Sequence, residues 1–133
     1  MSYLVMAALF IVAVVLWKHL VLDVFMQDTM LAIARLNACR ERVNEKRAQV
    51  ASIELRVRFA EADKNEAMRA WQTSKSKEDG ARWDGEQGLL SALLTTLSDR
   101  RIELEEAQAE FERVNSEFRI KHGRRRRSIF GRR

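Results

Sequence analysis

Residues 74–88 read SKSKEDGARWDGEQG and hold Gly80, Gly85 and Gly88, three of the five glycines in 133 residues that contain no proline. Glycine is unfavourable inside a helix and easily accommodated at a helix end or turn. Asp84 followed three residues later by Gln87 has the spacing of a capping box for a new helix. The stretch therefore predicts a turn over residues 79–88, short enough for a second helix to fold back on a first.

On either side of it the apolar residues recur at heptad spacing. In the first frame position a falls at Leu22, Thr29, Leu36, Val43, Val50, Val57, Lys64 and Trp71, and position d at Phe25, Ala32, Cys39, Lys46, Ile53, Ala60, Ala67 and Ser74. In the second, a falls at Leu90, Leu97, Leu104, Phe111 and Phe118, and d at Leu93, Arg100, Ala107, Val114 and Lys121. Such spacing over more than three heptads, flanked by Glu, Lys and Arg, predicts helices packed along a seam. The expected seam is Leu36, Val43, Val50, Ile53, Val57 and Trp71 against Leu90, Leu97, Leu104, Phe111 and Phe118.

Charge agrees with a hairpin. Residues 18–78 carry twelve basic and nine acidic side chains, and residues 79–120 carry five basic and ten acidic. A fold near residue 80 would set Trp71 near Leu90 and Val43 near Phe118, with ELEEAQAEFE (103–112) facing Arg47, Arg56 and Arg58. Opposite charges beside an apolar seam help choose pairing and direction, although each exposed pair contributes only about 0.2 to 1 kcal/mol.

The other end of the first helix is of a different kind. YLVMAALFIVAVVLW, residues 3–17, has no charge and is followed by Lys18, His19 and then LVLDVFM. Extended by Met1, Ser2 and the LVL after His19, it approaches the length that spans a ~30 Å hydrocarbon layer at 1.5 Å per residue. Trp17 suits the interface and Lys18 can snorkel. A basic leader is missing, as is a small-residue cleavage site directly after the run, so the segment reads as an anchor rather than a cleaved signal, the core helix of a larger assembly being the other reading. Basic residues follow the segment and none precedes it, which favours a coiled coil on the cytoplasmic side.

The chain closes on KHGRRRRSIFGRR, seven Lys or Arg in thirteen residues without an acid. Arg124, Arg125, Arg126, Arg127, Arg132 and Arg133 are candidates for an electrostatic contact. A second helix ending at residue 122 would stop about 30 Å short of the bilayer, a gap that eleven extended residues can cover. Anionic lipid is the leading partner; an acidic protein surface, a merely solvated end and nucleic acid compete with it. Trp83, placed near the tip, is a candidate partner anchor or a neighbour of Trp71. Cys39 at d reads as a buried thiol, and Lys46 and Lys64 in the seam as register determinants or snorkelling chains.

A catalytic site lacks its parts: the two histidines are far apart, the one Cys has no nearby His, and no phosphate-binding glycine loop or metal-ligand spacing occurs. No enzyme activity, cofactor or metal is expected. The layout of short N-terminus, membrane helix and coiled coil resembles, in architecture only, phage inner-membrane spanins, small coiled-coil divisome proteins and the stalk b subunit of ATP synthase. No residue motif carries that likeness, so it implies no site residues.

The sequence thus predicts an all-α chain, a single N-terminal transmembrane helix continuing into a helical coiled-coil hairpin. Its parts are an anchor (1–26), a first coiled-coil helix (27–78), a glycine-containing turn (79–88), a second coiled-coil helix (89–122) and a disordered basic tail (123–133). The expected function is that of a membrane-anchored structural or adaptor subunit that binds lipid and other subunits, itself among them. The alternative is a spanin-like envelope-bridging protein with the coil in the periplasm.

Overall fold

In the computed structural model, which describes the backbone of residues 2–130 and the side chains of residues 2–123, the chain forms two helices. α1 is Ser2–Ser74 and α2 is Lys77–Phe130, with no strand among the described residues. α1 contains neither Gly nor Pro, so nothing interrupts it between the apolar run and the heptads. It rises about 110 Å, and α2 about 80 Å.

α2 folds back along α1. The buried residues are Val43, Val50, Val57, Ala60 and Ala67 of α1 with Leu90, Leu97, Ala107 and Val114 of α2, and every one is an a or d position of the two frames. Ile53, Leu93 and Leu104 pack against the cluster of Val50, Val57, Ala60, Leu90 and Leu97. Trp71, Leu36, Phe111 and Phe118 are half-buried in line with it. The apolar front is bare: no residue of the run 3–17 in α1 is buried, and this helix is long and apolar enough to cross a membrane.

Three boundaries differ from the sequence expectation. The turn lies at residues 75–76, before the glycines rather than among them, and Gly80, Gly85 and Gly88 are helical residues of α2. The second frame accordingly runs back through Trp83 and Glu86 at a and d, both half-buried. At the far end α2 continues past residue 122 to Phe130, where a tail was expected. Arg is a good helix former, and cations suit the C-terminal end of a helix dipole. The side chains of Arg124, Arg125, Arg126 and Arg127, and Arg132 and Arg133 altogether, lie outside the described residues.

The register differs as well. Val43 shares a groove with Gln108 and Phe111, one heptad short of the expected Phe118. A slide of seven residues returns every a and d position to the seam, so heptad pattern cannot choose between the two registers. The position of the turn does.

Candidate interaction site: seam, turn and hairpin base

Cross-helix contacts follow from antiparallel packing, which sets like heptad positions against each other. Arg42 Nη1 lies 3.3 Å from Glu110 Oε2, both at g, and Arg101 Nη2 lies 3.1 Å from Glu54 Oε1, both at e. These pairs are largely exposed and serve orientation more than stability. The acidic 103–112 segment therefore meets Arg42 and Lys46, where Arg47, Arg56 and Arg58 were expected to pair with it. Arg47 lines a groove with Glu112, whereas Arg56 lines one with Arg100 and Arg58 one with Arg101.

One polar layer enters the seam. Lys46, at d and mostly covered, donates from Nζ to Glu103 Oε2 at 2.8 Å. Arg100, the d residue of α2, donates from Nη1 to both oxygens of the same carboxylate at 3.2 and 3.0 Å. The bond from Lys46 first, and those from Arg100 second, hold the Glu103 carboxyl below the ordinary glutamate range. An ionic group that finds partners in one register and loses them after a slide selects that register.

The turn is built from side chains rather than glycine. Lys75 takes a positive φ of 53° and donates its amide to the Trp71 carbonyl at 2.8 Å, which closes α1 in a left-handed cap. Its ammonium stands 4.2 Å from the centre of the Trp71 ring. Ser76 then caps α2: its Oγ accepts from the Asp79 amide at 3.2 Å and its carbonyl from the Gly80 amide at 3.1 Å. Ser74 Oγ accepts from the Ser76 amide and donates to the Asp79 carboxylate. Hydrogen bonds from Ser74 and then Ser76, with Arg82 nearby, keep Asp79 below the usual carboxylate range.

Trp83 does not project from the tip. It is half-buried against Trp71, ring centroids 5.2 Å apart, and so belongs to the seam. Gly80 makes room for this pair, since a Cβ there would lie 3.2 Å from Cδ1 and Nε1 of Trp71. Cys39 is a partly covered free thiol. At the hairpin base the Phe118 and His122 rings pack 4.5 Å apart, and Phe118, His122 and Gly123 line a groove with Thr29. Toward the middle of the hairpin the Arg40 guanidinium stands 5.9 Å from the Phe111 ring.

The structure therefore gathers the expected seam residues into one line, moves Trp83 into that line, and adds Glu103, Arg100 and the Ser74–Ser76–Asp79 cap. The cap was visible as Ser76 followed three residues later by Asp79, but Asp84 and Gln87 have the same spacing and lie among the glycines. No group of three or more His, Cys, Asp or Glu that could hold a metal ion occurs among the described residues. Compared with protein-family models, curated proteins and solved structures, the chain matches none.

Proposed function

We propose that this protein is a membrane-anchored coiled-coil structural or adaptor subunit, whose hairpin is held at a fixed distance from a bilayer and offers its outer faces to other subunits. One observation carries the reading: α1 is a single unbroken helix whose first part is apolar and uncovered and whose remainder packs one face against α2. α1 has 73 residues and α2 has 54, so α1 outruns its partner by 19 residues. At 1.5 Å each this is about 28 Å, the thickness of a hydrocarbon layer.

A continuous helix also transmits orientation, because no flexible joint separates the anchor from the seam. The outer faces of the hairpin expose Leu55 and Phe59 on α1 and Leu89 and Ile102 on α2 among charged neighbours. The bias of basic residues to the C-terminal side of the apolar run supports a cytoplasmic hairpin.

The test begins with membranes carrying the full chain. The protein should resist alkaline carbonate extraction, and a chain beginning near Gln27 should be released. Release of the full chain would overturn the anchor. A reporter at the C-terminus should read cytoplasmic; a periplasmic signal would move the protein to the spanin-like reading. Purification in mild detergent, with mass spectrometry of retained proteins, then identifies the subunits it holds.

A further inference from the structure

We infer that the end of α2 is a second membrane contact, a basic helical terminus that docks on an anionic bilayer surface beside the anchor. The inference rests on the anchor reading above and adds a lipid-binding site to it.

The register supplies the geometry. Gly123 of α2 lies beside Thr29 of α1 in one groove, and α2 continues for seven residues beyond Gly123. Antiparallel helices of equal rise then bring Phe130 level with Leu22 and residues 124–127 level with residues 25–28. An anchor of residues 2–22 places Leu22 at the edge of the hydrocarbon. The helical backbone of residues 124–127 thus stands about 5 to 9 Å outside it, the depth of phosphate headgroups, and that of residues 129–130 is level with the apolar boundary. No extended tail is needed for the return.

Charge and exposure agree with this placement. After Glu117 the chain has no further acid, whereas residues 118–127 contain Arg119, Lys121 and the four arginines. On α1 the same depth carries Asp23 and Asp28, which together leave a clear excess of positive charge. Val24 and Met26, at that level on α1, are exposed, as an interfacial collar requires. Clustered Lys and Arg next to a membrane helix are attracted to anionic lipid, and the attraction fades within a Debye length.

The experiment uses the full chain in vesicles. A polarity-sensitive fluorophore is attached at Ser128→Cys in a Cys39→Ala background, and quenching by lipids with a nitroxide near the headgroup is measured. The vesicles are phosphatidylcholine alone or with phosphatidylglycerol. Quenching is expected to strengthen with the anionic lipid, and added salt should remove the gain. Changing Arg124, Arg125, Arg126 and Arg127 to Gln should lower the docking equilibrium constant by about fivefold per arginine. A second label at Phe10→Cys, read with deep nitroxides, reports the anchor by itself. Equal exposure of position 128 in both lipids while position 10 stays quenched would overturn the docking and leave the anchor standing. Loss of quenching at position 10 would overturn the anchor instead. Nucleic acid that copurifies through the same arginines, and that anionic vesicles do not displace, would also overturn the docking.

Discussion

Glu103 shows how much one side chain decides in a protein whose seam repeats itself. It satisfies Lys46 and Arg100 together, two cations that would otherwise sit at d positions without a partner. Its carboxyl is held below its ordinary range by these two groups, so its contribution is present above the unfolded value and is lost as pH falls through the folded one. Asp79 has the same sign, through Ser74 first and Ser76 second. Helical stability of the hairpin, followed by circular dichroism during thermal unfolding, should therefore be level near neutral pH and decline below about pH 4. Glu103→Gln should lower stability at neutral pH and flatten that decline. An unchanged acid slope in this variant would place the pH dependence on other carboxylates.

At the scale of elements the glycines of α2 separate into two kinds. Gly85 and Gly88 are helical, and a Cβ at either would meet nothing within 4 Å. Changing either to Ala should stabilise the hairpin by about 1 kcal/mol, the helix-propensity difference between the two residues. Gly80 is also helical, but its Cβ would press on the Trp71 ring that stacks with Trp83. Gly80→Ala should therefore gain less than the other two or destabilise. Thermal unfolding of the three variants checks this ordering. If Gly85 and Gly88 instead formed the turn, Ala there would be destabilising. The turn that does form asks Lys75, a residue with a Cβ, to adopt a left-handed backbone; its contact with the Trp71 ring offsets part of that strain.

For the molecule as a whole the decisive quantity is register, since it sets how far α2 reaches toward the apolar front of α1. Val50 and Leu104 belong to one packed cluster. Cysteines at positions 50 and 104, with Cys39 replaced, should be joined within one chain by a short bifunctional reagent. Cysteines at 50 and 111 should not, because one heptad displaces them by about 10 Å along the axis. Mass spectrometry of the cross-linked peptides distinguishes the two, and bridging only between chains would replace the hairpin with a dimer.

Much of this was legible in residues alone. The uncharged run of residues 3–17 and the a and d positions from Val43 to Val114 follow from composition and period, because a helix presents the same face every seven residues whatever lies opposite. That Trp71 and Trp83 stack, that Lys46 meets Glu103, and that α2 comes level with residue 22 could not be read in this way. Each depends on where the chain reverses. Two capping signals, Ser76 with Asp79 and Asp84 with Gln87, compete within twelve residues, and three glycines favour the wrong one locally. Tertiary structure chose the first, since a turn at 75–76 lets Trp83 close the seam on Trp71 and gives the charged d residues Lys46 and Arg100 a shared carboxylate. Those contacts span the two helices, and no local propensity contains them.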